Sequence, residues 1–306
     1  PEDEFADFEI FDSYIQTNKQ DYQAQIGDYA RSALRRGLEI EERVGANPFK
    51  FGMIGATDSH SGLAAAEEDN FWGKMAIDSI PETKHLFAVG RDVTGWNIGA
   101  GGLAGVWAEE NTRESLFAAF RRREVYATTG PRIQVRFFGG WDYQLRDAEA
   151  ADLAGIGYAK GVPMGGDLAS VPAPATGLHK LFAGAAAEGP QFLLQASKDP
   201  KGANLDRVQI VKGWVDADGK SHERVYEVVW AGNRAPDEAG RLPAIGNTVN
   251  LETGSYTNEI GSAELAQVWT DPAFDASQRA FYYARVLEIP TPRHSPASRS
   301  GKSSKT

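Results

Sequence analysis

An aspartate and a histidine stand two residues apart, at Asp58 and His60, within the run Phe49-Lys-Phe-Gly-Met-Ile-Gly-Ala-Thr-Asp-Ser-His-Ser-Gly62. A carboxylate and an imidazole are donors suited to a hydrolytic divalent metal such as zinc, manganese or iron. Residues at i and i+2 of a strand point to the same side. The apolar run 51–57 reads as a short buried strand. It would deliver both side chains at its end, where α/β enzymes place their chemistry. Asp-x-His is a short pattern by itself, and catalytic zinc takes three protein ligands with one open position. Further donors must therefore come from elsewhere.

The elements around the pair follow from periodicity. Tyr22, Ile26, Ala30, Ala33, Leu34 and Leu38 fall at helical spacing and predict a helix over 21–44, stopped by Gly45 and Pro48. Helix then strand is the unit that builds a barrel or an open α/β sheet. Residues 61–108 are rich in Gly and Ala and carry Trp72, Trp96 and Trp107, which predicts ordered loops with short helices beside the site. Asn111-Thr-Arg-Glu114 resembles a capping box, with the helix running to about Arg123 and Leu116, Phe117 and Phe120 inward. Arg121, Arg122 and Arg123 close that helix, where cations complement its dipole.

After Gly130-Pro131 the pattern changes. Ile133, Val135 and Phe137 alternate with Gln134 and Arg136 as in a half-buried strand. Further strands are predicted at 191–198, 205–215, 223–231, 247–252, 263–270 and 280–289, with Asp218-Gly219 as a hairpin turn. Many short strands with turn signals predict a β-sandwich. The Ser- and Lys-rich segment 295–306 reads as a disordered tail. The expected organisation is an α/β part over 1–130 and a β-sandwich over 131–294.

Composition narrows the function classes. The chain has 306 residues, 42% of them hydrophobic, so a sizeable core is expected. A net charge of −10 argues against a nucleic-acid partner. The absence of cysteine removes thiolate ligands, disulfides and a Cys nucleophile. No apolar run reaches membrane-spanning length. The chain begins at Pro1 in an acidic, aromatic segment, which reads as the interior of a longer protein and leaves periplasmic, secreted and cytoplasmic locations open.

Other motifs are weaker. Gly99-Ala-Gly101-Gly-Leu-Ala104 fits G-x-G-x-x-A but lacks a good preceding strand, so a flexible active-site loop is the better reading. Asp216-Ala-Asp218-Gly219 has the wrong spacing for a calcium loop. Glu109 and Glu110 read as solvated charges entering a helix, and Glu67, Glu68 and Asp69 as an exposed cluster. His85, His179, His222 and His294 have no ligand-spaced partner, and no G-x-S-x-G elbow supports a serine hydrolase.

Several stretches together resemble one family. They are Ile54-Gly-Ala-Thr-Asp-Ser-His60, Gly101-Gly-Leu-Ala-Gly-Val-Trp-Ala-Glu-Glu-Asn-Thr-Arg-Glu114 and Arg123-Glu-Val-Tyr-Ala-Thr-Thr-Gly-Pro-Arg-Ile133. Lys160-Gly-Val-Pro-Met-Gly-Gly-Asp167, Arg207-Val-Gln-Ile-Val-Lys-Gly-Trp214 and Phe281-Tyr-Tyr-Ala-Arg-Val-Leu-Glu-Ile-Pro-Thr-Pro-Arg293 belong with them. The chain is similar to the bacterial domain-of-unknown-function 3604 family, related to the PHP (polymerase and histidinol phosphatase) superfamily and to its carbamate-hydrolysing branch. The resemblance implies the closing, C-terminal part of a distorted (β/α)7 barrel that holds divalent metals, followed by an immunoglobulin-like β-sandwich. It implies a metal-dependent hydrolase of esters, amides or carbamates, or phosphoesters, with a small-molecule substrate. Asp58 and His60 match the last metal-binding motif of such barrels. Trp96, Asn97, Gly101 and Arg293 would shape the substrate pocket. The family's early His-x-His and its middle Glu and His ligands are absent from this sequence and would lie upstream of Pro1, so the chain alone is expected to be inactive. A non-catalytic β-sandwich that binds a glycan or a protein is the alternative, with Trp141, Trp214 and Trp230 as candidate surface aromatics. The sequence leaves the oligomeric state open.

Overall fold

The computed structural model describes residues 23, 25–62, 74–78, 80, 83–86, 95, 101–169 and 189–292. In chain order its helices are α1 (Ala30–Val44), α2 (Arg113–Arg122) and α3 (Leu153–Lys160). Its strands are β1 (Leu103–Val106), β2 (Val125–Thr128), β3 (Gln134–Gly140), β4 (Gly161–Pro163), β5 (Gln191–Ser197), β6 (Leu205–Val215), β7 (Ser221–Trp230), β8 (Glu264–Thr270) and β9 (Ala280–Glu288). The fold is mixed α/β and rich in strand, and every described pairing is antiparallel.

Three sheets form, with orders β1-β2, β4-β3-β5-β8 and β7-β6-β9. The period of two decides how they pack. Phe137, Phe192, Leu194 and Ala196 from the four-stranded sheet meet Leu205, Val208, Ile210 and Val228 from the three-stranded sheet in one core. Phe138, Leu193 and Val268 point the other way, into a second core with Tyr143 and Leu153. β5 is thus apolar on both faces over Phe192, Leu193 and Leu194, where both faces are covered. Leu193, Leu205 and Ile210 are fully buried, and each such side chain contributes roughly 1.5–3 kcal/mol of transfer free energy.

The long β6–β7 hairpin matches expectation. Gly219 sits at φ 76 in its turn, and Asp216 Oδ1 accepts from the backbone N–H groups of Asp218 and Lys220. Such a left-handed turn position favours glycine.

Several expectations are corrected. The first helix begins at Ala30, because Ile26–Asp28 forms a separate 3₁₀ turn and Tyr29 is extended. Its end is as expected, with Gly45 at φ 76 donating its N–H to Glu41 O. α1 packs on β6 and β7, not on a neighbouring parallel strand. Arg31 Nε lies 3.0 Å from Glu223 Oε2, and Arg35 Nη2 donates to Ser221 O at 2.9 Å.

The N-cap of α2 is Thr112, whose Oγ1 accepts from Ser115 N, and not Asn111. Ala119 is the side chain of this helix that is buried, while Phe117 and Phe120, expected inward, are exposed. No strand forms over 247–252, where Asn250 instead makes a single bridge to Ser255 around a turn. The run 51–57 joins no ladder, and Phe51 and Ile54 are exposed, so it is neither a strand nor buried. The tail 295–306 lies outside the described residues. Among the described residues no helix is long and apolar enough to cross a membrane.

Candidate functional site

Segment 51–57 lies against β1 and β2. Gly102 N donates to Ala56 O at 2.8 Å. The approach is close enough to demand glycine. A Cβ on Gly55 would lie 2.7 Å from the carbonyl oxygens of both Leu103 and Thr128. Gly55→Ala is therefore expected to lift this segment off the β1–β2 pair. Amide exchange would show it, with the Gly102 N–H exchanging faster and the Leu194 N–H unchanged. Equal exchange at Gly102 in both proteins would refute this account of how the segment is anchored.

Asp58 and His60 do come together, but through a turn and not through strand alternation. Asp58 has φ 52, the left-handed region that Asp tolerates better than most residues. His60 Nδ1 lies 2.8 Å from the Asp58 carbonyl oxygen and 3.8 Å from Asp58 Oδ1. The His60 backbone N–H donates to Lys74 O at 2.7 Å, and the Lys74 ammonium donates to Asp58 Oδ2. Both side chains of the pair are more than half exposed.

The pair fits a divalent metal in part. When Nδ1–H donates to the Asp58 carbonyl, Nε2 carries the lone pair, which is how metal-ligating histidines are held. Lys74, however, sits on the carboxylate oxygen that a cation would share. No group of three or more His, Asp or Glu among the described residues could hold a metal. These residues thus supply two donors, where a catalytic site needs about three.

The remaining candidates spread out. Gly101 is half-buried beside Gly102. Trp96, Asn97 and Arg293 lie outside the described residues, as do Glu67, Glu68, Asp69, His179 and His294. Glu109 and Glu110 are exposed ahead of α2. His222 Nε2 lies 2.6 Å from Asp216 Oδ2, and the ring stacks on Trp214. The hydrogen bond from His222, joined by the backbone N–H of Lys220, holds the Asp216 carboxyl below its ordinary range. That group therefore clasps a hairpin. Trp141, Trp214 and Trp230 are half-buried, and Trp141 and Trp230 spend their indole N–H groups on the carbonyls of Ala169 and Arg234.

Sequence reasoning missed Lys74, which no spacing links to Asp58. It also missed Arg136, whose guanidinium carbon stands 3.2 Å from the centre of the Trp107 ring. Alternation put Arg136 on the face away from the core, but nothing in the sequence joins it to a ring 29 positions earlier.

A family model described as "Protein of unknown function (DUF3604)" matches residues 1–305. Neither a curated protein nor a solved structure matches the chain.

Proposed function

The chain belongs to the DUF3604 family, and we propose that it contributes part of the site of a PHP-type metal-dependent hydrolase. The bond cleaved would be an ester, an amide or carbamate, or a phosphoester. One observation carries this reading: a histidine whose Nδ1 is fixed 2.8 Å from a backbone carbonyl, with an aspartate two residues before it, on a segment anchored by a glycine-only contact. In the same reading, 51–57 with β1 and β2 is the closing wall of a distorted β/α barrel. The two sheets that share a core form the immunoglobulin-like sandwich. Their antiparallel pairing supports that assignment.

A bound divalent metal supplies an acidified water and polarises the scissile group. His60 would bind it through Nε2, with Nδ1 held by the Asp58 carbonyl to fix the ring. Asp58 would bind through its carboxylate once Lys74 moves off Oδ2. Lys74 would then be placed to pair with an anionic group of the substrate.

The test uses protein expressed from its complete gene and loaded in turn with zinc, manganese and iron. Metal content is measured, and hydrolysis is followed on p-nitrophenyl esters, phosphates and carbamates. Asp58→Asn and His60→Gln are each expected to lower both metal content and hydrolysis. Metal content and activity unchanged in both variants would reject the site. A metal-free, silent protein that binds a saccharide would favour the binding-module reading instead.

A further inference from the structure

Among the described residues, the outer face of the four-stranded sheet is covered in part. α3 and the 3₁₀ turn Leu145–Glu149 sit over Phe138, Leu193 and Val268. Beyond them lie two cross-strand pairs, Gln134 with Ser197 and Arg136 with Gln195. With Trp107 and the Asp152 turn these side chains line a cleft of about 290 Å³. That is the small end of the roughly 300–1,000 Å³ typical of ligand pockets, so the occupant has about one ring.

Arg136 sets the chemistry. Its guanidinium carbon lies over the Trp107 ring, 3.2 Å from the ring centre. Trp107 is itself pinned by donating Nε1–H to Val135 O at 2.8 Å. Arg136 Nη1 donates to the Tyr158 hydroxyl at 3.3 Å. Among the described residues no carboxylate pairs with Arg136, and Glu124 is reached only through Tyr158. Arginine carries five N–H donors in a planar fork that matches a carboxylate. Here the fork is held in place and charged, with no carboxylate paired to it among the described residues.

The other walls call for hydroxyl groups. Gln195 spends its amide N–H on Glu264 Oε1 at 2.8 Å, which leaves its carbonyl oxygen as an acceptor. Gln134 offers a donor and an acceptor, and Ser197 a hydroxyl. Asp152 caps α3 by accepting from Gly155 N at 2.9 Å through Oδ1, so Oδ2 is left to accept from a ligand. The helix end is already capped, and the Asp152 charge keeps a second anionic group away.

We propose that this cleft binds a sugar acid. Its carboxylate sits on Arg136, and its hydroxyls contact Gln134, Gln195, Ser197 and Asp152. The inference does not depend on Asp58 or His60, so it stands or falls apart from the hydrolase reading.

Calorimetric titration of the full chain with D-glucuronate, D-glucose and acetate tests it. Glucuronate is expected to saturate the protein and to bind at least about tenfold more tightly than glucose or acetate, the scale of one charge-assisted hydrogen-bonded pair. Arg136→Gln is expected to bring glucuronate down to the affinity of glucose. Ser197→Val leaves the Arg136–Trp107 stack in place and is expected to weaken glucuronate. The proposal is overturned if glucuronate binds no better than acetate or glucose, or if folded Arg136→Gln binds it as tightly as the parent. Should Arg136→Gln fail to fold, Ser197→Val decides, and unchanged glucuronate affinity in that variant overturns the proposal.

Discussion

Lys212→Met lowers the unfolding free energy by about 3–5 kcal/mol, the cost of leaving a buried charge without its partner. Lys212 lies on β6, and its side chain is 3% exposed, against 0% for Asp271 just after β8. Its ammonium donates to Asp271 Oδ2 at 2.6 Å and to Ala273 O at 2.7 Å. The Tyr282 hydroxyl of β9 donates to the same carboxylate oxygen at 2.7 Å, and Ala273 N to the other at 2.9 Å. Burial first, and then the Asp271 charge, push the Tyr282 hydroxyl far above the ordinary phenol range, so it remains a donor. One carboxylate thus ties the edge of one sheet to two strands of the other. Methionine fills the lysine stem but leaves the anion in the core. Asp271→Asn added to Lys212→Met removes that anion and should restore most of the loss. Urea unfolding of the four proteins in this cycle gives the coupling directly. A single-variant cost below about 1 kcal/mol, the range of exposed pairs, would mean the pair is not buried as described.

That network shows what a linear reading can and cannot reach. β5, β6, β7, β8 and β9 were legible because each is a short run rich in β-branched, aromatic and other apolar residues set between turn residues, and Gly219 marked the hairpin. Lys212 was not legible as a core residue, because its partner Asp271 is 59 positions away and only the fold brings them together. α2 was legible as a helix, but its inward face was not. Asn111 and Thr112 are both good cap residues, and the apolar side chains Leu116, Phe117, Ala119 and Phe120 lie around more than one face, so only the packing of the fold decides that Ala119 is covered. α3 was missed because its sequence, Leu-Ala-Gly-Ile-Gly-Tyr-Ala-Lys, has two glycines and no polar face. At the candidate site the types Asp58 and His60 and their nearness could be read. The means of bringing them together could not, because a left-handed aspartate leaves no mark in the sequence.

Glu288→Gln is expected to stabilise the protein above neutral pH by about 3 kcal/mol at most, and to do nothing near pH 4. Glu288 ends β9, and its Oε1 has no hydrogen-bond partner among the described residues. Burial, followed by the nearby Asp199 charge, pushes its carboxyl up to about 7 against the opposing pull of Lys198 and a backbone N–H of Ala203. Asp199 stays ionised because Arg132 N and Lys201 N donate to it at 2.7 and 2.9 Å, outweighing its own burial. Lys198 donates to the carbonyls of Asp199 and Gly202 at 2.9 Å, so its charge is directed at backbone. The Tyr256 hydroxyl also feels both acids and is held above its ordinary range, by burial first. The sign follows from proton binding. Between the ordinary glutamate value of 4.5 and about 7 the folded protein keeps a proton that the unfolded chain has released. Raising the pH through that window therefore favours unfolding, and the stability given by the protonated acid is gone above it. Glutamine matches the neutral acid in shape and never loses a proton, so the variant escapes the loss. Denaturant midpoints of both proteins at pH 4, 5.5, 7 and 8.5 should coincide at the acid end and diverge steadily towards the alkaline end. Parallel curves across the whole range would place the Glu288 carboxylate in water, and with it the burial of the β9 terminus against the 198–203 turn would have to be abandoned.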